Sequence, residues 1–331
     1  MESFILILIH FFLRNQWIAV NAGEPMLGIA PCMYSGSYDK NGYFCSNEPM
    51  PIDWIPIECT SLVYDAVNFN ESLTTNFTEY DENNIKQILN GFNITGIILK
   101  NLNYGYSNFS SDFHFDKSFN NNLKIFINLL KKKYNLNIGL YVNASNMIYY
   151  SDDQDSTDWF DFVVLNDVVD YYIIGFDNFN LCNEFFIGGI VPMDNVFNYN
   201  HSLTTFEKAF NSSKIAKNKI YLEFLAVPTL NNSATEHLPT CCVTYKKYCE
   251  SDHYNTHWCA DNAASFYAKG KFAKDIKAKG IVVKYIDTID PTAKCDCDNK
   301  NKFITFMMML RGFTYSEPIT DCAKLNSISV E

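Results

Sequence analysis

The chain has 331 residues, 47% hydrophobic and 19% charged, with 27 Phe, 21 Tyr and 14 Gly, which excludes a disordered or collagen-like polymer and suffices for a large core. Its net charge of −11, with no basic run, argues against nucleic acid and anionic membranes as main partners, because binding phosphate needs clustered cations. Eleven cysteines are too many for an ordinary reduced cytosolic enzyme and point to an oxidising compartment.

In chain order, the first feature is the apolar run Phe4–Leu13, the length of a secretory leader's core and too short to cross a bilayer of roughly 30 Å. It is followed by Arg14, and small residues around Val20-Asn21-Ala22 offer a cleavage point. The reading is a leader over 1–22 and an exported, soluble domain over 23–331, with no membrane association after cleavage. Eight N-x-[ST] sequons, at Asn70, Asn76, Asn93, Asn108, Asn143, Asn200, Asn211 and Asn231, fit export and predict glycan at several of them.

Short apolar runs then alternate with amphipathic stretches. Met26–Ala30, Ser61–Val67, Thr95–Leu99, Asn137–Val142, Tyr171–Phe176, Lys219–Ala226 and Gly280–Ile286 read as strands, and their near-continuous apolar character is that of strands covered on both faces. Asn121–Lys133 reads as a helix, with Leu123, Phe126, Ile127 and Leu130 on one face and Lys131–Lys133 at the C-terminal end of its dipole. Phe266–Lys279 repeats the pattern. Residues 231–262, with Cys241, Cys242, Cys249 and Cys259, interrupt the alternation as a Cys-rich excursion. The order predicts an α/β fold, a (β/α)8 TIM-type barrel, in a single domain. No glycine fingerprint follows the first strand, so no dinucleotide cofactor is expected.

Several segments together resemble the family 18 glycoside hydrolases, the chitinase and chitinase-like barrels. Cys32-Met33-Tyr34 is similar to the end of that family's first strand and Cys59–Ala66 to its second. Tyr171–Phe179 (YYIIGFDNF) resembles the sixth, with Asp177 at the Asp of its Met-x-Tyr-Asp motif and Phe176 at the Tyr. Trp258, Asp261-Asn262, Ser265, Lys269 and Gly280–Val283 resemble the closing helix and eighth strand. By this likeness Cys32 pairs with Cys59, and Cys295 or Cys297 with Cys322. The chain is shorter than the family by about one strand–helix unit, lost before or after residue 140, and the family's insertion domain is reduced to the Cys-rich loop.

Active members carry an Asp-x-x-Asp-x-Asp-x-Glu run on one strand, where the Glu protonates the leaving oxygen and the substrate's N-acetyl group is the nucleophile. The best-fitting strand here, Leu136–Asn146, places Tyr141, Asn143 and Ser145 at the last three acidic positions. The alternative, Gly96–Gly105, places Ile98, Lys100 and Leu102 there. Neither strand contains an acid, so the resemblance implies a barrel without its proton donor. The ligand row it implies is Met33 at the first-strand Tyr, Tyr64, Phe176, Asp177, Lys284 at the eighth-strand Trp, and Asp287. Lys284 on a barrel strand is a partner for Asp177 or Asp287, and otherwise a lysine buried by its stem.

His253 and His257 beside Cys249 and Cys259 have a zinc-like spacing, but oxidised cysteines leave no metal there. Asp152, Asp153, Asp155 and Asp158 lack the Gly and Glu of a calcium loop. No metal or cofactor is expected. Three functions fit: an exported chitinase-like protein without hydrolase activity that binds a chito-oligosaccharide, another glycan or a protein; an active hydrolase whose acid comes from elsewhere in the chain; and a barrel serving only as scaffold for a protein-binding surface.

Overall fold

A computed structural model of the chain describes residues 3–9, 26–34, 50, 52–69, 94–100, 102, 118–152, 159–182, 189–195, 201–230, 245–250, 258–289, 293, 295, 302–320 and 322–326. Its sheet is a closed barrel. Ten strands are described: β1 (Ser3–Ile9), β2 (Pro31–Tyr34), β3 (Ser61–Phe69), β4 (Ile94–Lys100), β5 (Asn137–Asn143), β6 (Tyr171–Gly175), β7 (Ile220–Leu225), β8 (Thr229–Leu230), β9 (Trp258–Cys259) and β10 (Gly280–Lys284). β3, β2, β10, β7, β6, β5 and β4 run parallel in that spatial order, and β8 and β9 form a small separate antiparallel pair. The place of an eighth parallel strand, between β3 and β4, is taken by β1, which is antiparallel to both. Phe4–Ile9, the part of the apolar segment Phe4–Leu13 that the structure describes, thus lies in the strand that closes the ring.

The apolar runs form strands because both of their faces are covered. One face packs outward onto helices; the other fills the barrel with Leu27, Met33, Val63, Ile98, Tyr141, Tyr171, Ile173, Tyr221 and Val282. The first parallel strand begins later than the sequence suggests, at Pro31 instead of Met26. Gly28 adopts φ +73°, and the Leu27 carbonyl accepts from the Thr60 and Ser61 hydroxyls at 2.7 and 2.9 Å. These bonds make 26–30 a turn pinned beneath β3. Pro31, which cannot donate to the ladder, opens the strand.

The described α-helices are α1 (Phe119–Tyr134), α2 (Ala144–Asp152), α3 (Phe162–Leu165), α4 (Leu203–Ser212), α5 (Tyr245–Glu250), α6 (Ala263–Asp275), α7 (Ile304–Phe313) and α8 (Ala323–Asn326), with short 3₁₀ turns at Ile52–Trp54, Lys217–Lys219 and Ile286–Thr288. α1 buries Leu123, Ile127 and Leu130 and stops at Asn135 in the left-handed conformation. α4 and α6 are capped by Ser202 and Asn262, which accept from the backbone N–H three residues on, the usual N-cap geometry. α6 ends earlier than expected, at Asp275, and Lys277 is left-handed at φ 64°.

α6 and α7 approach so closely that a Cβ on Gly270 would lie 1.9 Å from the Met309 carbonyl oxygen, and one on Gly312 2.1 Å from that of Tyr267. Gly270→Ala is therefore expected to destabilise the protein by about 1–3 kcal/mol, as overpacking does, measured by urea unfolding. A midpoint equal to the parent's would mean the helices can slide apart freely.

Three disulfides are described: Cys32–Cys59, Cys182–Cys259 and Cys249–Cys295. The last removes Cys295 as a partner for Cys322. Cys322 is itself disulfide-bonded, and Cys297 lies outside the described residues. The Cys249 and Cys259 links tie the C-terminal half of the Cys-rich stretch to the rest of the fold. Among the described residues no helix is long and apolar enough to cross a membrane.

Candidate functional site

Side chains near the C-terminal ends of the parallel strands, where barrels of this kind carry their sites, converge on one carboxylate. Lys100 is the last residue of β4 and Lys284 the last of β10, while Asp177 sits in the turn two residues beyond β6. The Asp177 Oδ2 accepts from the Lys100 ammonium at 3.3 Å, from the Tyr141 hydroxyl at 3.1 Å, and from the Lys284 ammonium. Tyr141, on β5, also reaches Glu223 Oε1 of β7 at 3.1 Å. Lys284 Nζ lies 3.8 Å from that same oxygen, and Lys100 stands over the Tyr141 ring, 4.2 Å from its centroid.

Strand parity explains the convergence. On β7, Tyr221 and Glu223 share the interior face; on β6 and its continuation, Ile173, Gly175 and Asp177 do. Gly175 makes room for Tyr141, because a Cβ there would fall 1.7 Å from the Tyr141 hydroxyl oxygen. Gly175→Ala is expected to cost about 1–3 kcal/mol by displacing that ring. A Tyr141→Leu background should lose much of this penalty in a double-mutant cycle read by urea unfolding; additive effects would show that the methyl is accommodated elsewhere.

Burial and charge set the two carboxyls apart. Glu223 is 1% exposed, and its Oε2 has no hydrogen-bond partner. Burial raises its pKa above the ordinary carboxylate value, against the opposing pull of Lys284 and Lys100. The Asp177 side chain is 24% exposed. Burial would raise it too, but Lys284 and Lys100 outweigh that and hold it at about 2. Lys284 is held above its ordinary value: burial opposes its charge, and Glu223 and Asp177 more than offset the opposition. Burial and the two carboxyls push the Tyr141 hydroxyl well up.

The positions singled out from sequence are distributed as follows. Of Tyr141, Asn143 and Ser145, only Tyr141 enters the cluster. Asn143 ends β5, where its side chain accepts from the Asn146 N–H, and Ser145 already lies in α2. In the alternative row Ile98 fills the barrel, Lys100 joins the cluster, and Leu102 is buried just past β4. Met33 is buried in the interior, and the backbone of Tyr64 lies in β3 opposite Tyr34. Phe176 does not line the interior; it stacks on Phe224, ring centroids 5.1 Å apart, in the layer between sheet and helices. Asp287 lies in the 3₁₀ turn Ile286–Thr288. Among the sequon asparagines only Asn143 and Asn211 are described, the first half-buried and the second exposed on α4. His253, His257, Asp153, Asp155 and Asp158 lie outside the described residues.

Glu223 was not singled out from the sequence. Its signal was a lone charge in the apolar run Ile220–Leu225, at the parity of an inward residue. With Asp177 it places a carboxyl pair inside the barrel, supplied by β7 and the turn after β6 and by neither strand that fits the family's acidic run.

No protein-family model matches the chain, and no curated protein matches it. Solved structures do. A group IV chitinase of Ostrinia furnacalis is similar over 74% of this chain and 77% of its own, at 13% identity and a TM-score of 0.52. Catalytic domain 2 of the group II chitinase of the same insect aligns over 73% and 72%, at 13% identity and a TM-score of 0.50. An immunomodulatory active chitinase of Trichuris suis aligns over 69% and 72%, at 14% identity and a TM-score of 0.50. At such identities the likeness establishes the barrel fold.

Proposed function

We propose that the chain is an exported, disulfide-stapled chitinase-like protein that binds a glycan without cleaving it. One observation carries this reading: the two requirements of a general acid are divided between two residues. A catalytic acid must hold a proton near neutral pH and must reach the leaving oxygen. Burial shifts Glu223 toward keeping its proton, but its carboxyl is bonded to Tyr141, stands 3.8 Å from Lys284 and is almost without solvent contact. Asp177 reaches the surface but is held ionised by two ammoniums. The absence of Asp and Glu from both strands that fit the family's acidic run does not decide this by itself, because Asp177 and Glu223 bring a carboxyl pair to the barrel from elsewhere in the chain, which is the observation that favours the relocated-acid alternative.

Glycan binding rests on the strand-end location of the cluster and on the fold shared with chitinases. Export rests on the disulfides, the sequons and the apolar N-terminal run, read as a leader over 1–22. A fluorogenic N-acetylglucosamine trimer tests the central point. Release of fluorophore is expected to equal the buffer blank across pH 4–9; turnover abolished by Glu223→Gln would replace this reading with that of an active hydrolase using a relocated acid. If calorimetry detects no glycan while a protein is captured through the outer loops, the barrel is a scaffold.

A further inference from the structure

The same cluster is unbalanced in both protons and charge. The Tyr141 hydroxyl lies 3.1 Å from Asp177 Oδ2 and 3.1 Å from Glu223 Oε1, yet it has a single proton to donate. If both carboxyls were ionised, one of these contacts would set oxygen against oxygen. Glu223 would then be a buried carboxylate with Oε2 unpartnered and its nearest ammonium 3.8 Å away, a costly arrangement. A proton on Glu223 Oε1 resolves this: Glu223 donates to Tyr141 and Tyr141 donates to Asp177. The ionised groups are then Lys100, Lys284 and Asp177, an excess of one positive charge.

Donors are in excess as well. Each ammonium has three N–H bonds, but among the described residues both make their hydrogen bonds to the single atom Asp177 Oδ2. Lys284 otherwise meets the Tyr285 ring at 5.2 Å and Lys100 the Tyr141 ring. Buried cations with unspent donors favour an added group rich in acceptor oxygens and carrying negative charge. Asp177 stands in a turn, is the most exposed member of the cluster, and is stable as an anion in water.

We propose that Lys100 and Lys284 select an acidic sugar, bearing a carboxylate or sulfate, and that Asp177 occupies the ligand anion's place until it arrives. This deepens the glycan-binding reading and rests on it. When the ligand binds, the Asp177 carboxylate swings out to water and the ligand's anion takes its place, so the two ammoniums keep an anionic partner and gain the ligand's further acceptor oxygens.

Calorimetry separates the possibilities with three probes of equal length: an N-acetylglucosamine tetramer, its 6-sulfated form, and a tetrasaccharide alternating N-acetylglucosamine with glucuronate. At low salt one or both acidic probes are expected to bind at least about tenfold more tightly than the neutral one, about 1.4 kcal/mol. The gap should close in 0.5 M NaCl, as screening requires. Lys100→Gln and Lys284→Gln should each abolish the preference, and Lys100→Arg should retain it. The salt series on the wild-type protein keeps the test valid should a glutamine variant not fold. Equal or tighter binding of the neutral tetramer would overturn the acidic-sugar assignment and leave glycan binding intact. Silence with all three probes would overturn both. A preference that survives in folded Lys100→Gln and Lys284→Gln would place the anion elsewhere and also overturn the assignment. If the sulfated probe alone binds, the ligand is a sulfated sugar; if the uronate alone binds, it is a sugar acid.

Discussion

Asp177→Asn and Glu223→Gln are expected to differ several-fold in their cost to stability, although the two residues share one hydroxyl. The Asp177 replacement removes the anion that receives both ammoniums and leaves two cations nearly buried. Breaking such a pair costs about 3–5 kcal/mol, and the lower end applies because Glu223 can release its proton and take over Lys284. The Glu223 replacement substitutes a neutral amide for a group argued to be neutral, so its cost at pH 7 should be within about 1 kcal/mol.

The pH dependence follows from the same assignments. Asp177 titrates at about 2 folded against an ordinary 3.8, so its contribution, about 2 kcal/mol, is present above pH 4 and is lost as the pH falls toward 2. Glu223 is shifted upward from 4.5. Above that ordinary value the unfolded chain releases a proton that the folded chain keeps, so stability declines with rising pH until Glu223 itself ionises. Urea titrations from pH 2 to 9 should show a rising limb that Asp177→Asn flattens and a falling limb that Glu223→Gln flattens. If Glu223→Gln leaves the fall unchanged and flattens the rising limb instead, Glu223 is ionised and the proton assignment is wrong.

A comparable loss is expected at a second ion pair, away from the cluster. Lys269 on α6 is 2% exposed, and its ammonium meets Asp261 Oδ2 at 2.5 Å. The other Asp261 oxygen accepts from the Ser265 hydroxyl at 2.9 Å. The Tyr245 hydroxyl bonds the Asp261 backbone, linking α5 to the start of α6. Asp261→Asn leaves the Lys269 charge between Phe224 and Phe266, for which about 3–5 kcal/mol is expected. Adding Lys269→Met should recover much of this, because an apolar side chain suits that aromatic setting. A double variant no more stable than Asp261→Asn would show that the cost lies in the Ser265 bond and local backbone, not in the stranded ammonium.

Much of this arrangement was legible in the sequence, for definite reasons. Runs such as Gly280–Val283 and Tyr171–Gly175 are apolar at every parity because both faces are covered, and this marks the parallel strands. Asp261, Ser265 and Lys269 stand together in the sequence only through the family resemblance; the helix capped by Asn262 that brings them into contact is what the structure adds. The interior was harder to read. Phe176 and Asp177 were both assigned to the ligand row, yet adjacent residues of an extended chain face opposite ways. With Ile173 and Gly175 inward, only Asp177 could be inside. Ser145 was lost to the row because Asn143 ends the strand and caps the next helix. Glu223 was overlooked because the apolar neighbours Leu222 and Phe224 dominate a run that is read as a whole, and only the placement of Tyr141 and Lys284 gives its carboxyl a purpose. The pairing of Cys249 with Cys295 links loops whose proximity no local spacing reveals.

The reversed strand Ser3–Ile9 has a consequence for maturation. Because it runs against its neighbours, it needs no crossover helix and can seal the seam from outside the winding order of the fold. Proteolysis after Ala22 and sealing by these seven residues cannot both hold in one molecule. The position of the first residue therefore decides the geometry: an uncut terminus keeps an unbroken ring, whereas a cut one bares two facing backbones along Ser61–Phe69 and Ile94–Lys100, each with unspent amide and carbonyl groups.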